Sequence, residues 1–208
     1  MRENTLAGFV LAFDSGADAV ELDTHVSSDG TVVVHHDETV GGKAIAAMTW
    51  KDLESVDLGG NARIPTLDQV LASAAGRATV YVELKGAGIE QDVIAVVRKH
   101  STAVALHSFD HAAVERAFQA APDIPRGVLL ESAVTNPLQA MRRAVGRTHA
   151  RDVWPHWSLV SADFMRAADD LGARVIVWTV NTADRARHLA SLGVAGICSD
   201  DVRILANL

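Results

Sequence analysis

Hydrophobic and polar positions along this chain follow two different periods. Short apolar runs of strand length are separated by segments in which apolar residues recur every three or four positions, as in a helix with one buried face. This alternation is typical of a parallel α/β fold, in which a helix follows each strand. The apolar runs predict parallel strands at 19–25, 79–84, 102–106, 126–130, 150–153, 174–180 and 196–199.

The helical segments begin and end at recognisable residues. The first is predicted to begin near Thr5 and to end at Gly16, and its apolar face carries Leu6, Phe9, Val10 and Phe13. Later helices are predicted to follow residues that favour the N-cap position, which are Thr66, Asp110, Asn136, Ser161 and Thr182.

The Asp29-Gly30 pair between two β-branched runs predicts a hairpin after the first strand. Its return strand, at 31–35, should therefore be antiparallel and lie outside the main sheet. The following segment, 38–65, is predicted to be an irregular connection with one short helix near 49–56.

Composition narrows the class of protein. With 208 residues, 49% hydrophobic content and no long Pro, Ser or Gly-rich linker, we expect one domain over residues 1–208. A net charge of −7 with interspersed charges argues against a nucleic-acid partner. The single cysteine, Cys198, fits a reducing compartment, and no apolar run approaches the length of a membrane span. We therefore expect a cytoplasmic protein without stable membrane insertion, with secretion kept as the alternative because a leader could precede an incomplete N-terminus.

Two predicted strands carry acidic residues on one face. Glu21 and Asp23 lie two positions apart in an apolar strand, as do Glu83 and Lys85 in the next parallel strand. Three inward carboxylates would repel one another strongly unless a cation neutralised them. A hard divalent ion with oxygen ligands, Mg²⁺ or Ca²⁺, is the predicted cofactor.

Several short motifs occur in a fixed order along the chain. They are Glu3-Asn4-Thr5, Glu21-Leu22-Asp23, Ser28-Asp29-Gly30, His36-Asp37, Glu83-Leu84-Lys85 and Trp178-Thr179-Val180-Asn181. In this register the chain resembles the glycerophosphodiester phosphodiesterase family. The resemblance implies a (β/α)₈ TIM-type barrel that hydrolyses small-molecule glycerophosphodiesters to an alcohol and glycerol phosphate.

The resemblance also bears on the start of the chain. In the family, the segment matching Glu3-Asn4-Thr5 follows a strand that ends in a catalytic His-Arg-Gly, whereas this sequence opens on that segment. We therefore expect an N-terminally truncated barrel that lacks its first strand. Unpaired sheet edges would make the chain prone to aggregate or to form a homodimer.

The family motifs assign roles to individual residues. Glu21, Asp23 and Glu83 match the metal ligands, and Lys85 matches a residue that adds positive charge over the bound phosphate. Taken alone, each carboxylate could instead be a rim group paired to Lys or Arg, and Lys85 could simply extend to solvent.

Two further residues match functional positions. His36 matches a histidine that acts as general acid/base, because imidazole transfers protons readily near neutral pH. Its neighbour His35 falls on the opposite strand face and is interpreted as structural. Trp178 matches a residue that contacts the alcohol part of the substrate, although an indole there could equally fill the top of the barrel.

Two other functions are weighed against hydrolysis. A non-catalytic or weakly active phosphate-ester-binding relative is the alternative, because the first His-Arg of the family has no counterpart in this sequence. A phospholipase on the same barrel is less favoured, since lipid substrates usually require an exposed apolar or basic surface.

Overall fold

The protein was analysed in a computed structural model, which describes residues 2–205. These residues divide into two compact units, with the boundary between Leu106 and His107. The expectation of a single domain stays a prediction. No helix within residues 2–205 has both the length and the apolar character that crossing a bilayer requires.

The first unit begins with a helix and a strand that hold the site described below. Its elements are α1 (Leu6–Asp14), β1 (Ala19–Val26), β2 (Val32–Val34), β3 (Thr39–Val40), β4 (Lys43–Ala44), α2 (Trp50–Glu54), α3 (Leu67–Ala74), β5 (Thr79–Leu84) and α4 (Glu90–Val97). Thr5 caps α1, since its hydroxyl accepts a hydrogen bond from the Gly8 N–H, and the helix ends just before Gly16. The predicted apolar face of α1 is only partly buried, because Phe9 and Phe13 are covered whereas Leu6 is exposed.

Strand β1 pairs with two neighbours in opposite senses. It runs parallel to β5 from Ala19 to Thr24 and antiparallel to β2 over Thr24–Val26. The predicted hairpin and its antiparallel return strand are therefore confirmed, but the expectation that this strand lies outside the main sheet is wrong, because β2 pairs with β1 in the same sheet as β5. The parallel pairing aligns Asp23 with Glu83, which sets the geometry of the site.

The connection 38–65 has more structure than its sequence predicts. Besides the short helix α2, it contains the two-stranded ladder β3–β4 and a 3₁₀ turn, and Ile45 and Leu53 bury fully in a small core with Val33 and Ile64. Two-residue strands leave no alternating pattern that a sequence could show, and this explains the omission.

The second unit repeats the strand–helix alternation. After β6 (Val104–Ser108), which crosses the boundary, its elements are α5 (His111–Ala120), β7 (Arg126–Leu130), α6 (Pro137–Thr148), β8 (Asp152–Pro155), α7 (Ala162–Asp169), β9 (Arg174–Val177), α8 (Ala183–Ser191) and β10 (Gly196–Ile197). Strands β7, β8, β9 and β10 pair in parallel in that order. Their core contains fully buried Val128, Met141, Val153, Phe164 and Val177.

Four predicted strands differ from the structure by two or more residues at an end, and one of them is β10, which ends at Ile197 instead of residue 199. Strand β6 begins two residues later than expected, because Thr102 instead donates its hydroxyl hydrogen to the Leu71 carbonyl of α3 (2.8 Å). Strand β8 is displaced toward Pro155, since His149 ends α6 in a left-handed conformation and delays the strand. Strand β9 ends at Val177, so Trp178 lies just beyond it.

Candidate active site

The predicted acidic residues meet on one face of the paired strands β1 and β5. Asp23 and Glu83 lie side by side in the parallel register, and Glu21 shares their face two residues earlier in β1. One carboxylate oxygen from each of the three lies within 4.8 Å of the others. Asp23 and Glu83 are buried, with exposed fractions of 6% and 8%, whereas Glu21 is half-buried.

Negative charge is concentrated at this point. Burial, followed by repulsion from the Asp23 and Glu21 carboxylates, raises the pKa of Glu83 to about 8, and Lys85 acts in the opposite direction. The Lys85 ammonium lies 3.4 Å from Asp23 Oδ1. Lys85 therefore offsets part of the negative charge of this cluster, while repulsion among the carboxylates still contributes to the raised pKa of Glu83.

The donor set suits a hard divalent cation. All three side chains offer carboxylate oxygens, and two of them are shielded from bulk water. Mg²⁺ and Ca²⁺ both prefer such ligands, and a bound cation would replace the proton that burial holds on Glu83. Glu21, Asp23 and Glu83 thus fit a metal site by chemistry as well as by proximity.

The two adjacent histidines differ in environment. His35 is half-buried, and burial lowers the pKa of its ring. Its backbone N–H donates to the Asp23 carbonyl (3.0 Å), and this bond joins the end of the hairpin to β1. His36 is exposed, and its Nδ1 lies 2.7 Å from Asp37 Oδ1. The His36 contact lowers the pKa of Asp37, so the carboxylate is ionised and accepts the Nδ1 hydrogen. With Nδ1 engaged by Asp37, Nε2 is the His36 ring nitrogen that this contact leaves available.

A third histidine lies beneath this pair. His25 is buried in β1 on the face of Asp23, and its Nε2 hydrogen points to the His36 carbonyl at a long 3.5 Å. Burial lowers the pKa of His25, so the ring stays neutral near pH 7.

Asn4 contacts the acidic cluster in a way that the sequence motif does not reveal. Its amide donates a hydrogen bond to Asp23 Oδ2 (2.8 Å) and accepts one from the Asp23 N–H (3.2 Å). The motif identifies Asn4 only as part of Glu3-Asn4-Thr5, and no pattern within the sequence indicates its contact with Asp23.

Trp178 belongs to the second unit and lies directly after β9. It is half-buried, and its indole N–H donates to the Trp154 carbonyl (2.9 Å). The ring makes edge-to-face contacts with Phe109 and His156, each with a centroid distance of 5.4 Å. Trp178 is thus one member of an aromatic cluster, and its substrate contact stays a prediction.

Known proteins resemble this chain over nearly its full length. A glycerophosphodiester phosphodiesterase of Caldanaerobacter subterraneus subsp. tengcongensis is 28% identical, with 99% of this chain and 91% of that protein covered. A crystal structure of a glycerophosphodiester phosphodiesterase from Agrobacterium tumefaciens matches with a TM-score of 0.85 at 26% identity, covering 99% of this chain and 94% of the other. A phosphodiesterase of Oleispira antarctica, solved with the product sn-glycerol-3-phosphate, has a TM-score of 0.85 at 25% identity over 95% and 87% of the two chains.

These likenesses confirm the predicted α/β class of the TIM-barrel type and define a phosphodiesterase, which is a hydrolase. The model of the glycerophosphoryl diester phosphodiesterase family matches residues 1–204. The chain belongs to that family.

Proposed function

We propose that this protein hydrolyses glycerophosphodiesters to an alcohol and glycerol phosphate, with a divalent ion, Mg²⁺ or Ca²⁺, held by Glu21, Asp23 and Glu83. The observation that carries the proposal is the group of three carboxylates whose oxygens lie within 4.8 Å of one another, beside the Lys85 ammonium that pairs with Asp23. Membership of the family supports the substrate class, and the Oleispira relative was solved with sn-glycerol-3-phosphate.

The acidic residues orient the ion, and Lys85 complements the phosphate. When bound, the ion would stabilise charge on the non-bridging phosphate oxygens and lower the pKa of the attacking hydroxyl. Asp23 and Glu83 lie opposite each other on rigid paired strands, so their oxygens are held before binding. The Lys85 ammonium, now 3.4 Å from Asp23, would contribute positive charge beside the same phosphate.

His36 is proposed as the general acid/base. Cleavage of a phosphodiester requires a proton on the departing alkoxide, and the side chain that supplies it must exchange protons near neutral pH. Asp37 fixes the ring through Nδ1 and leaves Nε2 to carry the transferred proton. The exposure of His36 allows this nitrogen to equilibrate with solvent between turnovers.

The alternative is a phosphate-ester-binding relative without significant turnover. A single assay separates the two: release of glycerol phosphate from glycerophosphocholine, measured with Mg²⁺ or Ca²⁺ and with excess chelator. Hydrolysis requires added ion and is lost in a Glu21→Gln/Asp23→Asn variant if the proposal holds. Binding of the ester without release of glycerol phosphate would overturn it in favour of the alternative.

A further inference from the structure

Asn4 has an unusual backbone conformation at the start of α1. Its φ angle is +50°, in the left-handed region that non-glycine residues seldom adopt, although Asn tolerates it better than most. The turn is fixed on its C-terminal side by Thr5, which is buried and whose hydroxyl donates to the Arg2 carbonyl (2.8 Å). Such a conformation persists only where the surrounding contacts favour it.

The Asn4 side chain itself makes two hydrogen bonds with one residue, Asp23. The Asp23 N–H can only donate, so the Asn4 atom it meets at 3.2 Å must be the amide oxygen. The amide nitrogen therefore faces Asp23 Oδ2 at 2.8 Å and donates to it. Both polar atoms of the Asn4 side chain are used on a single residue, 19 positions away in the chain.

This two-point contact determines where the Asp23 carboxylate lies. One carboxylate oxygen is held by Asn4, and the other, Oδ1, is turned toward Lys85. The Asp23 carbonyl is held as well, by the His35 N–H at 3.0 Å. The backbone and side chain of Asp23 are thus restrained together at the point where its oxygen joins those of Glu21 and Glu83.

We propose that Asn4 is a positioning residue for the metal site, which holds Asp23 in the orientation that ligates the cation. This inference rests on the proposed function, because it requires that Asp23 is a ligand. Groups that orient a ligand typically contribute 10–100-fold to metal affinity. We expect a loss of that size when the Asn4 side chain is removed.

The test is calorimetric titration of the 208-residue protein with Mg²⁺ and, separately, with Ca²⁺. Asn4→Gly removes both hydrogen bonds and keeps a residue that adopts φ +50° without strain, so the side-chain effect is isolated. Asn181→Gly is the matched control, because Asn181 makes the same pair of hydrogen bonds with an aspartate outside the acidic cluster. Its amide nitrogen donates to Asp200 Oδ2 (2.6 Å), and its amide oxygen accepts from the Asp200 N–H (3.1 Å). Asn4→Ser, whose hydroxyl is too short for the two-point contact, is a second variant in case the glycine variant fails to fold.

The inference predicts that Asn4→Gly and Asn4→Ser weaken cation binding roughly 10–100-fold, whereas Asn181→Gly changes it less than about twofold. The midpoint of metal-dependent activity should shift by the same factor, with turnover at saturating metal close to that of the parent. Parent-like affinity in a folded Asn4 variant would overturn the inference alone. If the parent itself bound neither ion, the metal site in the proposed function would fail, and the role of Asn4 would fail with it.

Discussion

Each unit contains buried carboxylate groups, and the charged residues around these carboxylates differ between the two units. Asp152, at the start of β8, has a fully buried side chain and is held by Arg174 Nε at 2.7 Å and by Arg151 Nη2 at 2.7 Å. In the first unit, Asp23 and Glu83 are nearly as buried but lie beside the third carboxylate of Glu21, and the Lys85 ammonium is 3.4 Å from Asp23 Oδ1.

The contrast shows that burial of an acidic residue does not by itself indicate a functional site. Asp152 is neutralised within the protein by two guanidinium groups, which fits a structural role. The Asp23 and Glu83 carboxylates instead repel each other, and they lie one residue before the C-terminal end of the parallel pairing between β1 and β5. In (β/α)₈ barrels, that end of each strand carries the chemistry and the opposite end contributes stability.

The largest expected effect separates chemistry from metal binding at the first site. His36→Gln should lower kcat by 10²–10⁴-fold, because it removes the proposed proton-transferring nitrogen, while cation affinity stays unchanged. The measurement is steady-state release of glycerol phosphate, alongside calorimetric titration. His35→Gln, with an expected loss of less than tenfold, is the control; an equal loss in both variants would contradict the assignment to His36.

The second prediction concerns the compensated site. Asp152→Asn should lower the free energy of unfolding by about 2 kcal/mol, because two arginines lose their shared carboxylate but remain partly solvated. Chemical denaturation measures this change, and cation affinity should be unaffected. Reduced cation binding at unchanged stability would show that Asp152 contributes to the cation site and would contradict its structural role.

The third prediction is that removing a carboxylate from the acidic cluster of Glu21, Asp23 and Glu83 raises the stability of the metal-free protein. Between the ordinary pKa of 4.5 and the raised value of about 8, the folded state binds more protons at Glu83 than the unfolded state. The unfolding free energy of the metal-free protein should therefore fall as pH rises through this window. Glu83→Gln should remove that slope and increase stability by about 1 kcal/mol at pH 8.5. Denaturation of metal-free parent and variant at several pH values tests it, and a destabilised variant at pH 8.5 would refute the repulsion.

The smallest expected effect lies in the aromatic cluster of the second unit. Trp178→Phe keeps an aromatic ring but loses the hydrogen bond to the Trp154 carbonyl. We expect the KM for glycerophosphocholine to rise a few fold, which corresponds to a loss of about 1 kcal/mol in substrate binding, while kcat stays nearly constant. Unchanged KM, with reduced thermal stability, would favour the alternative in which Trp178 only fills the top of the barrel.

Much of the fold could be predicted because strands and helices differ in period. Strands β5 and β7 have their predicted bounds, and the capping residues Thr66, Asp110 and Asn136 begin the expected helices. Predicted strand ends were wrong where a contact with a residue distant in the sequence determines them. Thr102 is an example, because its hydroxyl donates to the Leu71 carbonyl of α3. Thr182 begins α8 but makes no side-chain cap hydrogen bond, so residue type alone overstated its role.

The candidate site likewise has features that the sequence predicts and features that only the tertiary structure determines. Strand alternation places Glu21 and Asp23 on one face, but only the register between β1 and β5 sets Asp23 opposite Glu83. The contact of Asn4 with Asp23 joins two elements through a single side chain and leaves no local pattern. A homodimer and the absence of a nucleic-acid partner stay predictions, since they concern other molecules.

The account depends on cation capture by the three acidic residues, and calorimetric titration of the metal-free protein with Mg²⁺ or Ca²⁺ tests it most directly. We predict one ion bound per chain, with release of protons near pH 7 as Glu83 ionises, and loss of binding in Glu21→Gln/Asp23→Asn but not in Asp152→Asn. A parent chain that binds neither ion, or a double variant that binds as tightly as the parent, would contradict it.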